Sequence, residues 1–459
     1  MTGYILLTGC GMVLAVICFI RSRSVSAYDA DSMIYSGGSA GCGTLTCSVF
    51  AAWMWTTSIF GATETYALYG VWGPVSYVAG ACLAFGGMIL FLVYLRRRFP
   101  QAISWLNFVQ ARYGRRTRRF YNLFAVIVPA YVLIEQGVGI AYLMEHFYGS
   151  SFRIISFFSV IIAAGFVFLG GMKSLLSEER LVTAVILAAF AVLALWFLGK
   201  GQPLGEIEAS GVPRAGGLVS VTAISALRYF IMAVVIAFSQ IVFDPGYYVK
   251  AKLARSTRQM AGAFIAGGIL LWGSVALAAS LYLGSACAAT GAEVTDLFRG
   301  PARLILSVAI IFIGISTIAH YMMGLFAVFS LDLQEEITGD RRTDRERIVF
   351  GRILLAAVGV FCACMTIALE NISLLSIDVF CAIFFAAPCV PLVIGTFSRR
   401  NFGRLPVIAA SAGIIGGLIL WVTVPGGPMQ TQFLGMTASL VIPALIMLGG
   451  FIRRLPYDR

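Results

Sequence analysis

The segment Cys42–Tyr77, CGTLTCSVFAAWMWTTSIFGATETYALYGVWGPVSY, is apolar enough to cross a bilayer and is nevertheless rich in polar side chains. Polar groups in hydrocarbon are costly unless they meet partners or line a wet cavity. A hydroxyl bonded to its own helix backbone explains any single one of them, but the whole cluster favours a pathway through the membrane. Its polar residues include Thr44, Thr46, Ser48, Thr56, Thr57, Ser58, Thr63 and Glu64.

The composition predicts a protein that crosses a membrane many times. Hydrophobic residues make up 59% of the 459 residues, charged residues make up 12%, and the mean hydropathy is +0.90. A soluble domain averages about 25% charged residues. Apolar runs near 20 residues predict helices and not barrel strands, so we expect an all-α integral protein of the cell (inner or plasma) membrane. The thirteen predicted spans are 2–20, 42–68, 73–95, 119–145, 153–171, 181–199, 218–243, 260–285, 303–331, 350–369, 373–397, 405–425 and 431–452.

The basic residues alternate with the predicted spans. With the N-terminus outside, 27 of the 33 Lys and Arg residues fall on the cytoplasmic side, among them Lys173, Arg180 and Lys250. Five fall on the outer side, and Arg228 lies within a span. This positive-inside bias supports thirteen spans and predicts a cytoplasmic C-terminus. It also explains the net charge of +12 without a nucleic-acid partner.

Several classes of site are disfavoured. The ten cysteines contain no CxxC pair, and only two histidines are present, which argues against a disulfide framework and against a zinc or haem site. No GxxxxGK[ST] loop is present, so the sequence does not predict ATP-driven chemistry. We expect a protein that is not an enzyme and carries no organic cofactor.

The order of the spans predicts one membrane domain built from repeats. We expect an extra helix at 2–20, a first set of five spans at 42–199, a second set at 218–397 and two C-terminal helices at 405–452. An odd number of spans in each set gives the sets opposite orientations, as in inverted-repeat transporters. The segment 101–113, QAISWLNFVQARY, is predicted to lie along the inner membrane surface, and 340–347 is predicted to be a solvated or membrane-surface loop.

Five ionisable residues fall inside the predicted spans. Glu64, Glu135, Arg228 and Asp378 come at similar depth in the outer half, which predicts a polar outer vestibule with Arg228 neutralised by Glu135 or Asp378. A structural ion pair that holds helices together is an equal alternative. His320 lies deeper, where it would relay protons, bind solute or serve as a hydrogen-bonded packing residue.

Five segments resemble the sodium:solute symporter family, and most narrowly its urea active transporter branch. SVFAAWMWTTSIFG with YALYGVWGPVSY resembles the first core helix and the segment after it, and LRRRFPQAISWLNFVQARYG resembles the segment that ends in ARYG. The others are similar to the GGLK turn, the FDQ.YWQ.A motif and the eighth core helix, and they are Gly170–Lys173, Phe243–Ala251 and STIAHYMMGLFAVFSLDL, which ends at 333.

The resemblance implies a LeuT-like core of five plus five helices and solute import driven by Na⁺. In that family carbonyls of an unwound first core helix and hydroxyls of the eighth bind the ion. The family usually has an Asp where this chain has Glu179, which implies a place for Glu179 in the ion path. The matching sodium ligands are the carbonyls of Ala51, Met54 and Ile313 and the hydroxyls of Ser316 and Thr317.

The resemblance also places a solute site near the midplane. The candidates that face it are Trp53, Ser58, Tyr77, Glu135 and Gln240. Helix packing is the alternative for Trp53 and for its near neighbour Trp55. No cationic clamp for a carboxylate is evident, so we expect a small neutral polar solute, with urea or a relative of it as the candidate.

Two alternatives to a sodium symporter remain open from the sequence. A proton-coupled carrier is suggested by His320 and Glu135. A solute-sensing membrane module without transport is the other, although no kinase or response domain is attached in this sequence. The expected partners are the lipid bilayer and the solute, and the oligomeric state is not determined by the sequence.

Overall fold

The computed structural model describes residues 1–23, 29–36, 38–100, 104–199, 218–334, 336, 343–370, 372–398, 402–425 and 428–452, and within these ranges it contains helices and no β-strand. The first eight helices are α1 Thr2–Ser22, α2 Ala30–Tyr35, α3 Cys42–Trp53, α4 Phe60–Tyr69, α5 Trp72–Arg98, α6 Trp105–Tyr113, α7 Arg115–Tyr148 and α8 Phe152–Gly199. The others are α9 Leu218–Val242, α10 Pro245–Leu253, α11 Thr257–Phe264, α12 Trp272–Thr290, α13 Pro301–Ala327, α14 Asp344–Ile367, α15 Leu374–Phe397, α16 Leu405–Thr423 and α17 Pro428–Ile452.

The helices agree with the predicted membrane spans. Eleven described helical stretches are long and apolar enough to cross a membrane, and two shorter apolar helices, Cys42–Trp53 and Phe152–Phe168, complete the series. A π-helical turn at Ile265–Leu271 joins α11 to α12, and another at Val328–Leu333 extends α13. The all-α, multi-pass membrane class is therefore confirmed. The division into two sets of five spans stays a prediction, and the predicted loop 200–217 lies outside the described residues.

The predicted span 42–68 is two helices separated by a break. Helix α3 ends at Trp53, α4 begins at Phe60, and the six residues between them are not helical. Met54 already has an extended backbone, with φ −84° and ψ 91°. The break contains neither Gly nor Pro, so it depends on tertiary contacts that replace the lost helical hydrogen bonds.

The predicted spans 153–171 and 181–199 correspond to two helical segments within α8, Phe152–Phe168 and Gly170–Gly199, which meet at a sharp kink at Gly171 without a loop between them. Gly171 marks the kink with φ 57° and ψ −161°, a conformation that is essentially restricted to glycine. A Cβ atom at this position would lie 2.6 Å from the Met33 carbonyl oxygen of α2. The kink therefore needs glycine both for its backbone angles and for the approach of α2.

The segment predicted to lie on the membrane surface forms α6, but its apolar residues pack inside the protein. Trp105, Leu106 and Phe108 are fully buried, and residues 101–103 lie outside the described residues. The Ser104 hydroxyl donates to Asp332 at 3.0 Å, and Arg118 pairs with the same carboxylate at 2.9 Å. These contacts hold α6 and α7 against the inner end of α13.

The most buried spans are α13, α7 and α15, which surround the centre of the bundle. Small residues allow close approach where helices cross, as is common in membranes. A Cβ on Gly80 of α5 would lie 2.7 Å from that of Ala233 on α9. The C-terminal helices α16 and α17 pack against each other and against α15. The central helices thus place the α3–α4 break deep in the protein.

Candidate functional site

Side-chain oxygens accept hydrogen bonds from two backbone donors of the α3–α4 break. The Trp55 N–H donates to Ser58 Oγ at 3.2 Å, and the Thr56 N–H donates to Gln136 Oε1 on α7 at 2.9 Å. In a continuous helix these two donors would bond the carbonyls of Ala51 and Ala52. The break therefore frees the Ala51 carbonyl, and broken helices of this kind bind ions and solutes in transporters.

Two of the five predicted sodium ligands, Met54 and Thr317, are in contact at this break. Thr317 Oγ1 on α13 donates to the Met54 carbonyl at 3.2 Å, which joins the eighth predicted core helix to the end of α3. The neighbouring Ser316 hydroxyl is fully buried and has no hydrogen-bond partner among the described residues. Ala51 and Ile313 lie one turn earlier on the same two helices and are also fully buried.

The chemistry of this group suits a hard monovalent cation. Carbonyl and hydroxyl oxygens are the ligands that hard cations prefer, and these oxygens carry no full charge. The partnerless Ser316 hydroxyl would gain an interaction by ligating an ion, because a buried unsatisfied oxygen costs about 1–3 kcal/mol. The residues present therefore fit Na⁺, and the ligand set itself stays a prediction.

Four of the five predicted solute residues, Trp53, Ser58, Tyr77 and Gln240, line a cavity beside the break. The cavity has a volume of about 20 Å³, which is enough for one or two water molecules. Trp53 and Trp55 both face it, because the chain leaves the helix between them. Glu135 does not line it. The wall consists of Trp53, Trp55, Ser58, Tyr77, Ala81, Tyr229, Ala233, Ile236, Ala237, Gln240, Trp272 and Asp378.

The Ser58 hydroxyl supports the cavity wall from within. It accepts hydrogen bonds from the Trp55 N–H and from Trp272 Nε1, at 3.2 and 3.1 Å, and it donates to the Trp53 carbonyl at 3.5 Å. A hydroxyl has two acceptor sites and one donor, so all of its capacity is used. Ser58 thus braces the wall in this conformation and has no free hydrogen bond for a solute.

Asp378 belongs to this cavity and not to an outer vestibule. Its Oδ1 accepts hydrogen bonds from the Tyr131 hydroxyl and from Gln240 Nε2. Glu135 is fully buried next to Tyr131 and Thr57, and neither of its oxygens has a hydrogen-bond partner in the part of the chain that the structure describes. The site thus holds two carboxyl groups.

Arg228 does not neutralise either of these carboxyl groups, which corrects the expected ion pair. Its side chain is exposed on α9, and its guanidinium lies 6.0 Å from the ring centre of Phe433. Glu64 is half-buried and accepts a hydrogen bond from the Ser373 hydroxyl at 2.7 Å. Of these predicted vestibule residues, Asp378 lines the cavity, and Glu64 and Arg228 do not.

A buried cluster of charged residues lies one turn from the cation group, toward the predicted cytoplasmic side. Lys250 Nζ contacts Glu179 Oε1 at 2.6 Å and donates to the Ser48 carbonyl at 2.9 Å. His320 Nε2 lies 2.8 Å from Asp244 Oδ2, and its Nδ1 lies 3.9 Å from Glu179 Oε1. These side chains of Glu179, Lys250, His320 and Asp244 are fully buried.

Most of this cluster was not predicted from the sequence. Lys250 was counted with the basic residues of the cytoplasmic side, and Asp244 and Glu178 had no predicted role. Glu178 is also fully buried, and both its oxygens lack a partner within the described ranges. The sequence signal for this cluster was Lys250 within the motif Phe243–Ala251. A lysine in such a motif can be buried or exposed, and the sequence does not distinguish the two.

Comparisons with known proteins agree with the fold and the membrane location. No protein-family model matches the sequence. The chain is 22% identical over 445 residues to the urea active transporter of Saccharomyces cerevisiae, covering 86% of this chain and 60% of that protein. It is 21% identical to the probable urea active transporter 1 of Schizosaccharomyces pombe, covering 97% of this chain and 75% of that protein. It is 20% identical to the urea-proton symporter DUR3 of rice (Oryza sativa subsp. japonica), covering 98% of this chain and 70% of that protein.

Two solved structures share the fold. One is a Na⁺-coupled sialic acid symporter in a substrate-bound, outward-open state, with a TM-score of 0.75, 14% identity and 98% coverage of both chains. The other is a nucleobase-cation-symport-1 family transporter in a closed conformation, with a TM-score of 0.54, 14% identity, and coverage of 91% of this chain and 94% of that one. The chain is a multi-pass membrane protein with the LeuT-type fold. It spans 60% of the length of the S. cerevisiae relative.

Proposed function

We propose that this chain is a secondary active symporter that imports a small polar solute by alternating access, with Na⁺ as the coupling ion. The contact between Thr317 Oγ1 and the Met54 carbonyl carries the proposal. It joins α13 to the broken end of α3, directly beside the solute cavity. An ion that contacts both helices favours the conformation in which they lie together. Solute import is coupled to the Na⁺ gradient because the two conformations bind the ion with different affinities.

The relatives support a solute of the urea type. Three proteins that align with most of this chain are named as urea transporters. The cavity is compact, and no Lys, Arg or His lines it, which disfavours anionic solutes such as organic acids. We therefore take urea as the first solute to test.

The decisive experiment is uptake of radiolabelled urea into proteoliposomes that contain the full chain. We expect an inward Na⁺ gradient to drive accumulation above equilibrium, and replacement of Na⁺ by choline to abolish it. Liposomes without protein are the control. Saturable binding without any accumulation would overturn the transport proposal and favour a sensory module.

Proton coupling is the second candidate, and the buried cluster around Lys250 favours it. The cluster contains the carboxyl groups of Glu178, Glu179 and Asp244 with one lysine and one histidine, and the rice relative is named as a urea-proton symporter. The same liposomes separate the candidates. Accumulation that follows an inward pH gradient in choline medium, and does not respond to Na⁺, would replace sodium by protons in the proposal.

A further inference from the structure

Two cavity residues hold hydrogen-bonding groups of opposite kind that the protein leaves unused. Trp53 is 4% exposed, and its indole Nε1–H has no acceptor among the described residues. Asp378 is 3% exposed, and both of its protein donors bond to the same oxygen, Oδ1. No hydrogen bond reaches Oδ2 from the part of the chain that the structure describes. Trp53 therefore has an unpaired donor and Asp378 an unpaired acceptor, and both residues line the cavity.

The surrounding network fixes both groups in place. The Trp53 ring packs against Trp55, Phe85 and Trp272 with ring centroids 5.2, 5.5 and 5.7 Å away. Tyr131 and Gln240 hold the Asp378 carboxylate from the side opposite its free oxygen. A buried donor or acceptor without a partner costs free energy, so a ligand that satisfies both groups recovers that cost.

The rest of the wall limits the size and shape of such a ligand. Five aromatic residues line the cavity, which has a volume of only about 20 Å³. Flat faces of Trp and Tyr favour a planar ligand, and the small volume favours one of few heavy atoms. A carbonyl oxygen would match the Trp53 donor, and N–H groups would match the Asp378 acceptor.

We propose that Trp53 and Asp378 are the specificity-determining residues of the cavity: the Trp53 Nε1–H binds the carbonyl oxygen of a compact planar carboxamide of the urea type, and the Asp378 carboxylate accepts its N–H hydrogen bonds. This assignment rests on the proposed function, in which the cavity is the solute site. A site built from buried polar groups rejects isosteres that lack the matching group, because the protein group then stays unpaired.

A ligand series tests the assignment on the unaltered protein. The affinities of purified full-length protein for urea, acetamide, thiourea and tetramethylurea are compared by competition with radiolabelled urea, at millimolar concentrations and in Na⁺ buffer. Thiourea has the shape of urea with a sulfur, a weaker hydrogen-bond acceptor, in place of the carbonyl oxygen, and tetramethylurea has the carbonyl without N–H donors. We expect urea and acetamide to compete and the other two to be weaker by about tenfold or more.

Two variants then separate the two contacts. Trp53→Phe removes the donor and keeps an aromatic ring, so we expect the affinity for urea to fall about three- to tenfold while the weak affinity for thiourea is unchanged. Asp378→Asn removes the charge at constant shape, and we expect a loss of about tenfold or more for urea, since hydrogen bonds to charged groups are the stronger ones. The matched controls are Trp421→Phe and Asp296→Asn. Trp421 of α16 packs against Phe380 of α15, and Asp296 is exposed.

The outcomes distinguish this assignment from the proposed function. Absence of both urea binding and urea accumulation overturns the proposed function, and the assignment with it. Normal urea accumulation with equal binding of thiourea, tetramethylurea and urea overturns the assignment alone. If a variant does not fold, the ligand series on the unaltered protein still decides between these results.

Discussion

Lys250 Nζ lies 2.6 Å from Glu179 Oε1, and both side chains are fully buried. The two residues belong to α10 and α8, and the same ammonium reaches the Ser48 carbonyl of α3 at 2.9 Å. One charge pair thus connects three helices one turn from the predicted cation ligands. A pair of this kind is costly to break because the remaining charge is left without a partner in a low-dielectric interior.

The first prediction concerns the stability of this pair. We expect Lys250→Met or Glu179→Gln alone to destabilise the protein by about 3–5 kcal/mol, and the double substitution to recover a large part of that loss. The measurement is the unfolding midpoint of the purified protein. Arg153→Gln is the matched control, because its pair with Glu370 is largely exposed and worth about 0–1 kcal/mol. A shift for Lys250→Met no larger than that of the control would contradict the prediction.

The second prediction concerns the proposed sodium ligands. We expect Thr317→Ala to raise the Na⁺ concentration for half-maximal urea uptake by about tenfold or more, because it removes an oxygen that would contact a charged ion. Thr317→Ser keeps the hydroxyl and should retain most of the sodium dependence. Ser159→Ala is the control, since this buried hydroxyl bonds only the Ile155 carbonyl of its own helix. Unchanged sodium dependence in Thr317→Ala would remove it from the site.

The third prediction concerns the contact that holds the helix break open. Gln136 Oε1 is the acceptor for the Thr56 N–H, so Gln136→Leu leaves that donor buried and unpaired. We expect a loss of about 1–3 kcal/mol in stability, together with reduced urea uptake. Gln136→Glu keeps an acceptor oxygen and serves as the comparison. If Gln136→Leu unfolds at the same midpoint as the unaltered protein, the break does not depend on this hydrogen bond.

The fourth prediction concerns the kink in α8. We expect Gly171→Ala to destabilise the protein by about 1–3 kcal/mol or more, because of the positive φ and the nearby Met33 carbonyl. Gly165→Ala on the same helix is the matched control. An added Cβ meets nothing within 4 Å there, so this change should be neutral or slightly stabilising. Equal unfolding midpoints for the two variants would show that a Cβ atom at position 171 does not strain the kink.

Much of the fold follows from local sequence patterns. Each span of about 20 apolar residues predicts its own helix, since the bilayer forces backbone groups to bond within the segment. The positions of arginine and lysine between spans predict the orientation by the same local reasoning. The order of the family motifs predicted Ser316, Thr317 and Met54 as sodium ligands. In the structure, Thr317 contacts Met54 directly.

The candidate site was less predictable because its contacts join residues far apart in the chain. Glu135, Arg228 and Asp378 occur at similar depth, but depth alone does not tell which side of a helix faces which neighbour. The structure turns Arg228 outward and Asp378 toward the cavity. Pairing between helices is decided by the whole set of packing contacts, which no short segment contains.

The segment Cys42–Tyr77 shows both what the sequence determines and what only the tertiary structure decides. Its composition determined that it enters the membrane and carries polar groups that need partners. Its break at Met54–Ile59 was decided by the tertiary structure, because Gln136 and Thr317 bond backbone groups that a continuous helix would pair internally. Trp272 donates to the Ser58 hydroxyl, which in turn accepts from the Trp55 N–H. The environment of Lys250 was also decided by the tertiary structure. The sequence around Lys250 is that of a basic segment between two spans, and only the fold places Glu179 beside it. A helix is specified by neighbours in sequence, and a site by neighbours in space.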